Sequence, residues 1–146
     1  MVRPFLPHTI TTDSAIGGSK IERSLRFRHG GSWAMTRTSE NASSTFTFSC
    51  WIKHTKIDDY KYIFSSGSAG IAFNGTTSGN SNQLYVWDGN TLTTSGAFLR
   101  DTNSWYHIVV KMNSGTVYTY INGSVCHNGI GGFNLSTGGD STRIGS

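Results

Sequence analysis

Residues 45–53 read Thr-Phe-Thr-Phe-Ser-Cys-Trp-Ile-Lys, with apolar side chains on every second position. Phe46, Phe48, Cys50 and Ile52 share one face; Thr45, Thr47, Ser49, Trp51 and Lys53 share the other. A period of two is the pattern of a strand with one face toward a core. The first set is therefore expected to point into the space between two packed sheets.

Shorter strand patterns lie on either side. Upstream are Ser24–Arg28 and Trp33–Arg37, separated by His29-Gly30-Gly31-Ser32. Downstream are Tyr62–Ser65, Gly70–Phe73, Gln83–Trp87, Ala97–Leu99, Trp105–Met112, Thr116–Ile121 and Ser124–Cys126. Asp88-Gly89, Asn113-Ser114-Gly115 and Asn122-Gly123 are turn signals between them. Residues 39–44, 74–82 and 128–139 read as loops. Short strands at this spacing, with no apolar stripe of helical period, predict an all-β, two-sheet antiparallel sandwich.

Composition agrees. Gly, Ser, Thr and Asn supply 66 of the 146 residues, and charged residues only 14%, against about 25% in an average protein. A helical bundle is excluded on this basis. Charge-driven disorder is also excluded, because aromatics reach 12% and the net charge is +4. No apolar run approaches the roughly 20 residues of a membrane span, so membrane insertion is not expected. The basic run Lys20–Arg28 reads as a solvated strand face. No nucleic-acid motif accompanies it, so nucleic acid is not an expected partner. Cys50 and Cys126 read as buried free thiols; their spacing leaves a disulfide open. Residues 1–8 lack the apolar segment of a signal peptide. Both prolines, Pro4 and Pro7, fall there. Residues 1–19 are thus expected to form an extended arm ahead of a domain at 20–146, with Pro4, Phe5, Leu6 and Pro7 as assembly contacts.

The segments STFTFSCWIK (44–53), YIFSSG (62–67), NQLYVW (82–87), NSWYHIVVKMNSGTVYTYING (103–123) and STRIG (141–145) resemble the laminin-G-like branch of the concanavalin A-like lectin/glucanase superfamily. The opening ERSLRFRHGGSWAMTRT (22–38) resembles the variant of this domain found in tailed, especially marine, bacteriophage proteins. The resemblance implies a jelly-roll sandwich, here expected to be non-catalytic because catalytic patterns are missing from the sequence, in one of two settings. The first is a structural or decorating module of a capsid or tail, in contact with other virion proteins or copies of itself. The second is a glycan- or receptor-binding domain for host attachment, for instance on a tail fibre. In the family a further strand follows the RIG segment and closes the sandwich. The sequence here ends at Ser146, so the expectation is either a longer protein or a closing strand from a neighbour.

Catalytic patterns are missing. Glucanase relatives place paired carboxylates on one strand face, as retaining hydrolysis needs. Here the only glutamates are Glu22 and Glu40, and Asp58-Asp59 would point to opposite faces of a strand. His107 is read as a core or half-buried histidine. Lectin-type recognition combines an aromatic platform with polar groups that orient the ligand. Trp87, Asp88 and Asn90 at a hairpin tip, with Asn74, Asn80 and Asn82 in the loop before it, are the candidates. Core packing is the competing reading for Trp87 and the expected one for Trp51 and Trp105; Tyr118 and Tyr120 are left open between core and solvent. No metal site is expected from the spacing of His and Cys. Calcium, which some relatives bind, would fall to scattered loop residues such as Asp88, Asp101 and Asp140, with no ligand set defined.

Overall fold

The computed structural model describes residues 25–27, 34–38, 43, 45–57, 60–67, 69–73, 82–88, 92–130 and 141–145. Ten strands run through them: β1 (Met35–Thr38), β2 (Thr45–Lys53), β3 (Lys61–Ser66), β4 (Ala69–Phe73), β5 (Gln83–Trp87), β6 (Leu92–Phe98), β7 (Trp105–Asn113), β8 (Thr116–Ile121), β9 (Ser124–Ile130) and β10 (Ser141–Ile144). They form a six-stranded sheet in the order β1-β10-β3-β4-β5-β6 and a four-stranded sheet in the order β2-β7-β8-β9. Every strand pairing is antiparallel.

The core lies between the sheets. The four-stranded sheet contributes Tyr106, Ile108, Val110 and Met112 from β7 and Val117 and Ile121 from β8. The six-stranded sheet answers with Ile63, Ile71, Phe73, Leu84 and Val86. Burying such a side chain stabilises the fold by about 1.5–3 kcal/mol. Strand β2 takes the expected sides: Phe46, Phe48, Cys50 and Ile52 pack against the core, and Phe48 lies 5.2 Å from Phe64 between ring centroids. They are half-buried rather than buried, since β2 is the terminal strand of its sheet.

Two tight turns set the register of β7, β8 and β9. Ser114 and Gly115 (φ 48° and 76°) join β7 to β8; Asn122 and Gly123 (φ 50° and 80°) join β8 to β9. Positive φ at both central residues is the geometry of a two-residue hairpin loop matched to strand twist. At the start of β7 the Asp101 carboxylate accepts hydrogen bonds from Asn103 N–H (2.8 Å) and the Ser104 hydroxyl. The Tyr106 hydroxyl donates to the Asp101 carbonyl, at 3.1 Å, and accepts from its N–H, also at 3.1 Å. These bonds fix where β7 begins.

Several expectations are corrected. Residues 25–27 of the segment read as a first strand are not in a strand. Strand β6 extends back to Leu92, through residues given no element, and β9 forward to Ile130, into residues read as loop. Residues 141–144, to which no strand was assigned, form β10 and are paired on both sides, by β1 and β3. Four residues are too few to show a period; the neighbours supply the pairing.

Cys50 and Cys126 are free thiols on the two outermost strands of the four-stranded sheet. Three strand spacings separate them, about 14 Å, beyond the roughly 7 Å limit between Cα atoms for a disulfide. They are half-buried rather than buried; burial pushes the Cys50 thiol up to about 11 and raises Cys126.

Thr119 has no exposed surface, and its Oγ1 has no hydrogen-bond partner among the described residues. An unpaired buried hydroxyl costs about 1–3 kcal/mol. Thr119→Val, which keeps the branched shape, is expected to raise unfolding stability by about 1 kcal/mol. Urea denaturation reads this directly, and a lowered midpoint would mean that the hydroxyl contributes to the native state.

Candidate functional site

Antiparallel register turns the outward residues of β2, β7 and β8 into rows across the four-stranded sheet. The rows are Lys53–Trp105, Trp51–His107, Ser49–Val109–Tyr120, Thr47–Lys111–Tyr118 and Thr45–Asn113–Thr116. Val125 of β9 extends the third row beside Tyr120. This face carries exposed aromatic and aliphatic side chains among polar ones. Trp51 is 57% exposed, Trp105 50% and Val125 59%.

The expectation that Trp51 and Trp105 pack in the core is therefore overturned. Each occupies an odd-numbered position in its strand, and the even-numbered positions fill the interior. A pleated strand cannot turn both faces to the core of a two-layer sandwich. Bulk and hydrophobicity favoured burial, but the pleat decided the side.

Trp51 stacks on His107 with ring centroids 4.8 Å apart and planes 22° apart. The far side of the imidazole edge is held by Ser49, whose Oγ lies 3.0 Å from His107 Nε2. The backbone is pinned as well: His107 N–H donates to Asn122 Oδ1 and Asn122 N–H to the His107 carbonyl, both at 2.8 Å. The half-buried reading of His107 holds, and its ring lies on the outer face. Lys111 Nζ sits 6.0 Å from the Tyr118 ring centroid. The result is a face on which an exposed, stacked tryptophan stands beside hydroxyl, imidazole and ammonium groups.

A serine beside an imidazole has the composition of a nucleophile and base. Its surroundings here do not extend that chemistry. Activation also needs a third group that orients the base, and the ring contact that the His107 imidazole makes, besides Ser49, is with Trp51.

The residues proposed from sequence lie elsewhere. Trp87 is half-buried on the outward side of β5, opposite Gly70. On the same outward side is a cluster of three tyrosines. Tyr60 meets Tyr62 and Tyr85 edge-on at centroid distances of 5.2 and 5.6 Å. Burial, with hydrogen bonds to Tyr62 and Tyr85, raises the Tyr60 hydroxyl above its ordinary value. Those hydroxyls are engaged with one another. Asn82 is 2% exposed with φ 63°, and its carbonyl accepts from Leu99 N–H at 2.7 Å. Asp88 is 7% exposed. Asn74, Asn80 and Asn90, and the arm residues Pro4, Phe5, Leu6 and Pro7, lie outside the described residues. The structure thus gathers Trp87 with Tyr85 and the other tyrosines, and draws Asn82 and Asp88 inward.

Among the described residues no three His, Cys, Asp or Glu side chains come together as a metal site. Of the acids named for calcium, Asp101 is occupied in its turn; the Ser104 hydroxyl, then the Asn103 N–H, hold it below the usual carboxylate range. Asp140 lies outside the described residues. No helix among the described residues is long and apolar enough to cross a membrane.

Comparison with known proteins places this architecture. No curated protein matches the sequence. Domain 4 of AbnA, a GH43 extracellular arabinanase from Geobacillus stearothermophilus solved in complex with arabinotriose, is similar in structure, with a TM-score of 0.56 and 20% identity. The match covers 71% of this chain and 52% of that one, so this chain spans about half the length of its structural relative. At that identity the likeness concerns the fold. Residues 28–146 match the family described as Concanavalin A-like lectin/glucanases superfamily. On that match, which takes in most of the sequence and both sheets of the sandwich, the chain belongs to the laminin-G-type branch of the concanavalin A-like lectin/glucanase superfamily.

Proposed function

We propose that this domain is a non-catalytic carbohydrate-binding module, and that it binds through the outward face of the four-stranded sheet. The observation that carries this reading is the exposure of Trp51, stacked on His107 and diagonal to exposed Trp105. Diagonal neighbours across an antiparallel pair lie about 7–8 Å apart, a spacing that presents two rings to successive sugars of one chain. Aromatic rings offer flat apolar surface to sugar C–H groups, and nearby polar groups orient the hydroxyls. The arabinotriose held by the structural neighbour supports sugar binding on this fold.

Display on a phage particle is the second reading, as a decorating or attachment protein. It is favoured by the likeness of residues 22–38 to phage domains and by β1, a terminal strand with all four residues exposed. The two readings combine, because many copies on one particle raise avidity with no new contact.

Affinity electrophoresis through gels containing soluble polysaccharides tests the proposal. At least one polysaccharide is expected to retard the protein. Trp51→Ala should migrate freely in that gel, while Trp87→Ala should remain retarded. Loss in Trp87→Ala alone would move the site to the tyrosine-bearing face, and no retardation by any polysaccharide would remove the glycan reading.

A further inference from the structure

The four strands that build the aromatic face contain no Asp and no Glu, although the protein has eight acidic residues. Their only full-time charges are Lys53 and Lys111, both on the outward side and both exposed. In the row order given above, Lys53 stands in the first row and Lys111 in the fourth. Three steps of two residues separate them, about 20 Å along the strands. Between them lie Trp51, His107, Ser49, Val109 and Tyr120. A lysine thus stands at each end of an aromatic track, and the strands of that sheet bring no carboxylate to oppose either. Among the described residues, Asp101, in the turn before β7, is close enough to Lys53 to feel its charge. Its carboxylate is held by the Ser104 hydroxyl and the Asn103 N–H.

Resting on the glycan-binding reading, we propose that the ligand of this face is an anionic linear polysaccharide, bearing carboxylate or sulfate groups at intervals along its length. The aromatic rings take the sugar faces, and Lys53 and Lys111 take acidic groups several sugars apart. At 20 Å the two lysines are more than two screening lengths apart in physiological salt. They therefore act on separate groups of one polymer, which favours a repeating charge over a single charged sugar. Lys111 also lies over Tyr118, which holds its ammonium near the plane of the aromatic surface.

The test compares dissociation constants for polygalacturonate, dextran sulfate, neutral dextran and arabinan, and a single-stranded oligothymidylate, at low and at high salt. The variants are Lys53→Gln/Lys111→Gln and Trp51→Ala, each checked for native folding by circular dichroism. The expected result is at least tenfold tighter binding of one anionic polysaccharide than of the neutral ones at low salt. That preference should shrink in 0.5 M salt and collapse toward parity in the double lysine variant. Whichever of the two anionic polymers binds tighter identifies the group as carboxylate or sulfate. Equal affinity for neutral and anionic polysaccharides would overturn the anionic assignment and leave glycan binding standing. Absence of binding to every polysaccharide would overturn both. Undiminished anionic binding by Trp51→Ala would assign the effect to the overall net charge of the protein and overturn the proposal, as would tighter binding of the oligonucleotide, whose bases stack on exposed rings.

Discussion

Trp51→Ala is expected to weaken binding to the cognate polysaccharide about 30-fold with almost no change in unfolding stability. The two halves of this result have separate causes. A central aromatic anchor in a binding surface is typically worth about 2 kcal/mol or more, and 1.4 kcal/mol is a factor of ten in affinity. Trp51 stands exposed on the outward face, with its ring stacked on His107 at 4.8 Å. Little ordering remains to be done when the ligand arrives, which makes its contribution larger than that of a mobile side chain. For stability the ring counts for little, since 57% of the residue is already in water. Titration of wild type and variant, paired with urea unfolding of both, checks the two halves together. A variant that loses stability by several kcal/mol would show that Trp51 holds the sheet rather than the ligand, and unchanged affinity would remove it from the site.

Phe73→Ala is expected to be the most damaging single truncation on the other side of the molecule, with a loss of about 3–5 kcal/mol. Phe73 is 1% exposed, belongs to the central cluster, and stacks on buried His54 with centroids 4.3 Å apart and planes 11° apart. Removing the ring takes apolar contacts from both sheets and leaves a cavity that paired strands cannot collapse to fill. A whole domain is stable by only about 5–15 kcal/mol, so the variant stands near the threshold of folding. The midpoint of urea unfolding should fall with its slope unchanged. A loss below about 1 kcal/mol would show that β4 does not pack tightly against the opposite sheet. Because Phe73 is buried in the core and the aromatic face is on the outside, the surviving folded fraction should bind the ligand normally.

The strand pairings that build the site were partly legible. Asn122-Gly123 and Asn113-Ser114-Gly115 announced two hairpins, and hairpin geometry then dictated the registers of β7 with β8 and β8 with β9. The alternation in 45–53 also placed Trp51 with Thr45, Thr47, Ser49 and Lys53, on the side opposite the phenylalanines. That grouping already carried the signal for an exposed tryptophan. Expecting tryptophan in the core overrode it, although large side chains obey the pleat as small ones do.

Other elements had no such signal. Strand β6 holds Gly96 at φ 68° and pairs with β5 through a register shift between Gln83 and Tyr85. A bulge breaks the period of two, so the residues before Ala97 show no strand pattern in the sequence. Strand β10 is too short to show any period, and its place between β1 and β3 comes from pairing across more than a hundred residues of separation from β1 and about eighty from β3.

Alternation in 45–53, the turn residues and the composition determined by themselves an antiparallel β-sandwich, with Phe46, Phe48, Cys50 and Ile52 of β2 toward its inner face. Those are local properties: backbone pleat and turn dihedrals follow from adjacent residues alone. Only the tertiary structure decided that Trp51, His107, Ser49 and Trp105 form one surface, that Lys53 and Lys111 mark its ends, and that Asn82 and Asp88 turn inward. Strand order and the packing of one sheet on another bring together residues distant in sequence. The free energy that selects this arrangement is the burial of the shared core, which no single segment contains.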